Sequence, residues 1–412
     1  MTAPEPCEWG AEAERRLIAI AACSEATEGV TRLPFTPEHA AANQEIRAWM
    51  EEAGLEVHLD AAGSLVGRKA APAGAPTLLL GSHQDSVRNG GRYDGAMGIV
   101  LPCLALRKLA AEGVDLPFAV EVLAFADEEG VRFPTALVGS RALAGTVDSA
   151  VFAMTDRHGI RLGEALDEFG GDAARVAALV RNPADTLGFL EIHIEQGPVL
   201  EREDAPVGVV TGICGIERNA VRFSGETGHA GTVPMQGRKD ALVAASRFLT
   251  TVHDAATART DLRATVGNLE LHPNVVNAIP DQADLTLEIR APDDAERSAF
   301  AEWARDNGTR IAADSGLGFE MNRTYAQTAV PCSPTLVDTL TTAATAQTGR
   351  PGVQLSSGAT HDASAMADLC PMGMVFVRCR EGVSHSPREF ASAADMGVAI
   401  EVLADCLRHL GP

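Results

Sequence analysis

The chain of 412 residues has few aromatic and few basic residues. Aromatic residues make up 4% of it, so aliphatic side chains must fill a core drawn from the 46% that are hydrophobic. Lysine and arginine number 34 against 56 aspartate and glutamate residues, which gives a net charge of −22. This charge disfavours nucleic acid and anionic membrane surfaces as partners, and an anionic substrate would need a local positive site.

Closely spaced cysteine pairs, a signal peptide and a membrane-spanning run are also missing. The eight cysteines are scattered without a Cys-x-x-Cys pair, which is typical of reduced thiols in a cytosolic protein. No run approaches the roughly 18 apolar residues of a membrane span. The acidic segment Met1–Gly10 lacks the apolar centre of a signal peptide. We therefore expect a cytoplasmic protein.

Strand-like and helix-like segments alternate through much of the chain. Short apolar runs predict strands at 77–80, 119–126, 187–194 and 374–378, and the segment 97–112 has helical composition. This alternation predicts an α/β fold, in which a mixed sheet is flanked by helices. In such sheets, ligands bind beyond the carboxyl ends of the strands.

The segment 212–323 has a different pattern, typical of a small α+β domain. Within it, residues 285–290 alternate, with Leu285, Leu287 and Ile289 on one face and polar residues on the other. We predict that 212–323 is inserted into a discontinuous catalytic domain formed by 1–211 and 324–412.

Five residues that can bind a metal follow these strand-like runs or lie in nearby turns. Each has an ordinary alternative, such as a structural histidine or a solvated turn aspartate, but their common position at strand ends predicts one site. A carboxylate can bridge two ions, and imidazole with carboxylate suits Zn²⁺ or Mn²⁺ equally well. The predicted ligands of this two-metal site are His83, Asp94, Glu129, His193 and His385.

Two further carboxylates lie beside the predicted ligands. Glu128 precedes Glu129 and can accept a proton from water, which is the general base that hydrolysis needs. Asp85 follows His83 by two positions and can orient that imidazole or a bound water. Both are therefore candidate catalytic residues.

Several motifs together resemble the hydantoinase/carbamoylase family of binuclear metal amidohydrolases, within the aminoacylase/carboxypeptidase-like metallohydrolases. They are Gly-Ser-His-Gln-Asp-Ser (81–86), Asn-Gly-Gly-Arg-Tyr-Asp-Gly (89–95), Glu-Glu-Gly-Val-Arg-Phe (128–133), Glu-Ile-His-Ile-Glu-Gln-Gly-Pro-Val-Leu (191–200) and Gly-Val-Ser-His (382–385). The resemblance covers nearly the whole chain. Members include N-carbamoyl-L-amino acid amidohydrolases and allantoate amidohydrolases.

The resemblance implies roles for the inserted domain and for individual residues. It implies a lid that also dimerises, Asp94 as the bridging ligand, Glu128 as general base, and a cis peptide between Asp94 and Gly95. His229 is implied to stabilise the oxyanion, whereas His361 is interpreted as structural. The substrate-binding positions that it implies are Gln196, His229, Asn277 and Arg290.

The function predicted from these residues is hydrolysis of the ureido C–N bond of an N-carbamoyl-L-amino acid. The expected enzyme is a homodimer with two divalent metal ions, and its partner is a small ureido acid. Alternatives are an allantoate amidohydrolase and an N-acyl amino acid amidase. A non-catalytic metal-binding protein is a further alternative, but such a protein would have little need of Glu128.

Overall fold

The computed structural model describes residues 8–411, which form two compact units. The larger unit holds the described residues up to Thr211, together with Cys332–Leu355 and the residues from Thr360 onward. The smaller unit holds Gly212–Pro331 and Ser356–Ala359. Cys7 and most of the acidic N-terminal segment considered above lie outside the described residues.

The helices and strands are numbered here in chain order. The helices are α1 (Glu8–Ala21), α2 (Pro37–Glu52), α3 (Met97–Ala111), α4 (Val138–Ala144), α5 (Leu162–Phe169), α6 (Val199–Arg202), α7 (Ala241–Thr257), α8 (Asp294–Ser315), α9 (Pro334–Thr348), α10 (Asp362–Met366) and α11 (Ala393–His409). The strands are β1 (Glu56–Leu59), β2 (Leu65–Lys69), β3 (Thr77–His83), β4 (Ala119–Phe125), β5 (Thr186–Ile194), β6 (Val207–Ile213), β7 (Gly215–Ser224), β8 (Arg263–His272), β9 (Gln282–Ala291), β10 (Gly318–Gln327), β11 (Val330–Pro331), β12 (Val353–Ser357) and β13 (Met372–Val377). Short 3₁₀ helices span Ser149–Ala153, Ala173–Leu179, Pro183–Asp185 and Arg380–Gly382.

Nine of the strands within residues 8–411 form one mixed sheet, in the order β1-β2-β4-β3-β5-β13-β6-β11 with β12 paired to β6. The central strands β4, β3, β5 and β13 are parallel to one another, whereas β1 with β2, β2 with β4, and β6 with β13 pair antiparallel. The predicted α/β fold with a mixed sheet is therefore confirmed. Because the four central strands run in the same direction, their carboxyl ends meet at one edge of the sheet.

Continuous apolar sequence explains why the central strands lie in the core. Every residue of β4 is buried, as expected for a strand covered on both faces. Helix α3 packs against β3, β4 and β5, and its side chains are buried around nearly the whole helix. Polar caps fix the ends of other helices: the Thr36 side chain accepts a hydrogen bond from the His39 amide at the start of α2, where Pro37 occupies the first turn.

The smaller unit contains a four-stranded antiparallel sheet in the order β10-β7-β9-β8, with α7 and α8 packed against it. Leu285, Leu287 and Ile289 of β9 enter its hydrophobic core, which confirms the alternation expected from the sequence. Strand β10 pairs with β7 as far as Gln327 opposite Ile216. The smaller unit therefore continues beyond residue 323, where we had expected it to end.

Two further features concern the part of the chain that the structure describes. Within residues 8–411, no helix has both the length and the apolar character that crossing a bilayer requires. The seven cysteines of this range are all free thiols, in line with the absence of paired cysteine motifs.

Candidate active site

Asp94 lies at the centre of a cluster of imidazole groups near the carboxyl ends of the central strands. Its Oδ1 atom is 3.1 Å from Nε2 of His193 and 3.7 Å from Nε2 of His83, and its Oδ2 atom is 3.2 Å from Nε2 of His385. Burial alone would raise the pKa of Asp94, but its close contacts with the three histidine rings outweigh burial and hold that pKa well below its usual range. The carboxylate is therefore ionised and has histidines facing both of its oxygens.

The two buried histidines are oriented by main-chain carbonyl groups. Nδ1 of His83 is 2.9 Å from the carbonyl oxygen of Asp85, and Nδ1 of His193 is 2.9 Å from that of Ile194. A carbonyl oxygen only accepts hydrogen bonds, so each Nδ1 carries the proton. Each Nε2 can then present a lone pair to a cation, as metal-binding histidines do.

Glu128 and Glu129 follow β4 and complete the cluster. Oε2 of Glu128 is 4.0 Å from Nε2 of His83, and Oε1 of Glu129 is 3.9 Å from Nε2 of His385. This Glu129 oxygen is buried and has no hydrogen-bond partner among residues 8–411. Burial raises the pKa of Glu128 well above its usual value, and burial together with the charge of Asp94 raises that of Glu129 to about 7.

The predicted ligands form overlapping sets that could hold cations. Ligand atoms of His83, Asp94 and His193 lie within 4.8 Å of one another, and so do those of Asp94, Glu129 and His385. Asp94 belongs to both sets, so its carboxylate could contact a cation in each of them. Nitrogen and oxygen donors, a shared carboxylate and the unpaired Glu129 oxygen together fit a divalent metal centre.

Asp85 holds the main chain of the two glutamates. Its Oδ1 accepts a hydrogen bond from the Glu128 amide and its Oδ2 one from the Glu129 amide, both at 3.1 Å. The sequence suggested that Asp85 orients His83. In the structure the main-chain carbonyl of Asp85 does so, while its carboxylate is 3.8 Å from Nδ1 of His83.

The predicted substrate-binding residues lie in both units. Gln196 lies beside the cluster, with Nε2 at 3.2 Å from Asp94 Oδ2 and 3.3 Å from His385 Nε2. In the smaller unit, an isolated bridge pairs His229 with Ala278, and the Ala230 amide donates to the carbonyl of Asn277. This pairing brings the segments of His229 and Asn277 together.

Arg290, the fourth predicted substrate-binding residue, lies on the polar face of β9. Its Nε donates to Glu288 at 2.8 Å, and its Nη1 donates to the carbonyl of Gly358. These two contacts hold the guanidinium group in one orientation.

The backbone near the cluster departs from ordinary conformations. Asp127, Gln196 and His385 have φ angles of 58°, 56° and 52°, which are uncommon for residues other than glycine. Such conformations are enriched at functional sites. The cis peptide expected at Asp94–Gly95 is absent, because the only cis bond within residues 8–411 is His272–Pro273; Gly95 instead turns the chain with a φ of 64°.

Two buried residues near the cluster were not assigned a functional role from the sequence. The His361 ring packs 4.5 Å from the His193 ring, and both contribute with Glu191 to a further possible ligand set. Glu389 accepts hydrogen bonds from the amides of Tyr93 and Asp94 at 2.9 and 3.1 Å. Nothing in the local sequence around Glu389 indicates these contacts.

Glu389 also joins the Asp94 loop to the His385 loop. Its Oε2 accepts a hydrogen bond from the Ser384 hydroxyl at 2.6 Å. A side chain at Gly91 would clash with it, because a Cβ there would be 2.1 Å from Glu389 Oε1. Gly91, the second glycine of the Asn-Gly-Gly-Arg motif, therefore makes room for this carboxylate.

Comparison with known proteins places the chain in a family. Residues 79–409 match the model of peptidase family M20/M25/M40. The N-carbamoyl-L-amino acid amidohydrolase of Geobacillus stearothermophilus is 38% identical, covering 91% of this chain and 92% of that protein. The allantoate deiminase of Arabidopsis thaliana is 37% identical, covering 94% and 80%.

Solved structures agree with these sequence relatives. An amidase of the hydantoinase/carbamoylase family from Burkholderia multivorans superposes with a TM-score of 0.90 at 33% identity, covering 98% of each chain. A second amidase of that family, from Burkholderia ambifaria, gives a TM-score of 0.90 at 31% identity, covering 97% of this chain and 96% of that one. This chain belongs to peptidase family M20/M25/M40 and, as the motifs predicted, is similar to the hydantoinase/carbamoylase amidases.

Proposed function

We propose that the protein is a metal-dependent amidohydrolase that cleaves the ureido C–N bond of an N-carbamoyl-L-amino acid. Its products would be the amino acid and carbamate, and the carbamate would then decompose to ammonia and carbon dioxide. The observation that carries this proposal is the arrangement of His83, His193 and His385 around the two oxygens of Asp94. The similarity to N-carbamoyl-L-amino acid amidohydrolases supports the choice of substrate.

The two metal positions would share Asp94. His83 and His193 would complete one position, and Glu129 and His385 the other. Divalent ions of the Zn²⁺ or Mn²⁺ type, when bound there, would polarise the ureido carbonyl and favour ionisation of the attacking water. The proton positions on His83 and His193 and the unpaired oxygen of Glu129 support this assignment.

Glu128 is the proposed base. Its carboxylate accepts a proton from the attacking water as the water oxygen bonds to the carbamoyl carbon. It then gives that proton to the departing nitrogen as the C–N bond breaks. Asp85 contributes by fixing the main chain of Glu128 through the amide hydrogen bond described above.

The remaining polar residues would bind the substrate. The Arg290 guanidinium offers a planar fork to the substrate carboxylate, and Asn277 and Gln196 offer amides to the ureido group. His229 would donate a hydrogen bond to the oxyanion that forms during attack. Because three of the four residues belong to the smaller unit, we propose that this unit acts as a lid, and that it also forms the interface of a homodimer.

Allantoate is the second candidate substrate, since several relatives are named allantoate deiminase. Allantoate carries one carboxylate and two ureido groups, so the same arginine and amide residues would bind it.

The decisive experiment measures ammonia release by the Mn²⁺- or Zn²⁺-loaded protein on N-carbamoyl-L-amino acids and on allantoate, side by side. We expect higher kcat/KM on the N-carbamoyl-L-amino acids, and loss of activity after chelation. A preference for allantoate would select the second candidate. No turnover of either, with bound metal verified, would reject both.

A further inference from the structure

A cavity of about 260 Å³ lies in the smaller unit. Arg263 and Thr265 of β8 line it together with Glu288 and Arg290 of β9, and Ser356 contributes a hydroxyl group. The β9 residues of this wall lie on the face of the sheet opposite the hydrophobic core. The cavity therefore contains Arg290, to which the proposed function assigns the substrate carboxylate, and a second arginine that has no role in that proposal.

The arginines of this cavity are poorly balanced by negative charge. Arg263 lies directly opposite Arg290 in the antiparallel register of β8 and β9, a position where like charges repel. Nε of Arg290 donates to Glu288 at 2.8 Å, but Glu288 also accepts a hydrogen bond from Nε of Arg218 at 2.6 Å. Two arginines therefore already share the one carboxylate that lines the cavity.

Among the described residues, Arg263 has no carboxylate partner. Its guanidinium donates to the carbonyl of Thr260 at 3.2 Å, and no ion pair within 4.0 Å involves it among residues 8–411. In a chain with a net charge of −22, a cavity with an excess of arginine offers a local positive potential that favours an anion. Two guanidinium groups on neighbouring strands can each bind one carboxylate through parallel hydrogen bonds.

We infer that Arg263 determines specificity by binding a second carboxylate, so that the preferred substrate is the N-carbamoyl derivative of an amino acid with an acidic side chain. Arg290 then binds the α-carboxylate and Arg263 the side-chain carboxylate. This inference rests on the proposed function, because it takes from it the role of Arg290. It narrows the substrate class from any N-carbamoyl-L-amino acid to dicarboxylic ones.

The test compares N-carbamoyl-L-glutamate with N-carbamoyl-L-glutamine, which have the same shape and differ in side-chain charge. For the metal-loaded protein we expect kcat/KM to be at least about ten-fold higher on the glutamate compound, equivalent to about 1.4 kcal/mol. Arg263→Gln should lower this ratio at least about ten-fold, mainly through KM. Arg263→Lys should retain part of the preference, because it keeps the charge and loses the planar fork.

Arg323→Gln is the matched control, since Arg323 is exposed on β10 at the other edge of the same sheet. It should leave the ratio unchanged. The inference is overturned if the wild-type protein does not prefer the glutamate compound, or if Arg263→Gln leaves the ratio as it is. If Arg263→Gln lowers kcat/KM equally on both compounds, the two arginines bind a single carboxylate, and the inference is also overturned.

Failure of the proposed function can be distinguished from failure of this inference, because in that case no N-carbamoyl-L-amino acid would be hydrolysed. The arginine pair is then tested by calorimetry on the metal-loaded protein, with glutarate and its monoamide as probes. Glutarate binding at least about ten-fold tighter than the monoamide, with the difference lost in Arg263→Gln, supports the second carboxylate site. Equal binding of the two probes overturns it.

Discussion

Glu389 is the buried side chain that connects two of the loops bearing predicted metal ligands. Its carboxylate accepts hydrogen bonds from Asp94 in one loop and from Ser384, the neighbour of His385, in the other. Partners that orient metal ligands in this way typically change metal affinity by 10- to 100-fold when they are removed. The placement of Asp94 relative to His385 should therefore depend on Glu389.

We expect Glu389→Ala to weaken metal binding by about ten-fold or more, and Glu389→Gln to weaken it less, because an amide oxygen can still accept from the two main-chain amides. Metal content after equilibrium dialysis measures the effect, with circular dichroism to verify folding. Glu51→Ala, at an exposed position of α2, is the control. Unchanged metal affinity in a folded Glu389→Ala variant would refute the role.

Substitution of Glu128 should impair catalysis without impairing metal binding. It is not one of the five proposed ligands, so Glu128→Gln should keep the metal content of the wild-type protein. Loss of the base should lower kcat by about 10²- to 10⁴-fold, the usual contribution of general acid–base catalysis. Near wild-type turnover with metal bound would contradict the proposed mechanism.

At the scale of secondary-structure elements, α2 buries a neutral histidine in its first turn. His39 is fully buried, its Nδ1 accepts a hydrogen bond from the Phe35 amide at 2.9 Å, and its ring is 4.3 Å from that of Phe169. Burial, assisted by the charges of Arg32 and Arg132, lowers the pKa of His39 to about 3. The protonated form is therefore strongly disfavoured in the folded protein.

This burial predicts a loss of stability in mild acid. An unfolded histidine binds a proton near pH 6.5, whereas folded His39 does so only near pH 3. As the pH falls through this window, the unfolded state gains protons first, so the free energy of unfolding should decrease by up to about 1.4 kcal/mol per pH unit.

His39→Asn should reduce that pH dependence, because asparagine keeps an acceptor for the Phe35 amide and does not titrate. We expect the variant to be less stable than wild type at pH 7, and the difference to shrink between pH 6.5 and 5. Urea denaturation across this pH range measures the difference in the free energy of unfolding between the two proteins. His58→Asn, at an exposed position of β1, is the control. A difference that stays constant with pH would show that His39 is not the responsible group.

The sequence predicted some elements better than others for physical reasons. The central strands β3, β4, β5 and β13 were recognised because strands buried on both faces are continuous apolar runs. Strand β10 was not, since most of its residues are exposed and its pattern is weak. Its pairing with β7 comes from tertiary structure that local periodicity does not encode.

In the candidate active site too, residues in local motifs could be predicted from the sequence, whereas contacts that depend on tertiary structure could not. The five proposed ligands were found because each lies in a motif at or near the end of a recognisable strand. Glu389 contacts the Tyr93 amide across 296 positions of sequence, and no local pattern signals such a contact. Arg263 was missed for a similar reason, because its position opposite Arg290 depends on the register of β8 and β9.

At the scale of the whole molecule, the proposed metal centre joins distant parts of the larger unit. The ligands extend from His83 to His385, and several of the carboxylates around them have raised pKa values because burial disfavours their charge. Cations would compensate this buried negative charge. Since the complete site exists only in the folded chain, metal binding should stabilise the larger unit and leave the smaller one, which holds none of the ligands, largely unaffected.

Removing metal should therefore lower the melting temperature, and adding Zn²⁺ or Mn²⁺ should restore it; at 100 times the dissociation constant, one site contributes about 2.7 kcal/mol. Hydrogen exchange followed by mass spectrometry locates the effect. We expect chelation to increase exchange at the ends of β3, β4, β5 and β13, with little change in β7, β8 and β9. His385→Ala should reduce the metal-dependent difference, because it removes one ligand. An equal increase in exchange in both units, or no change in the larger one, would contradict a metal centre built from these strand ends.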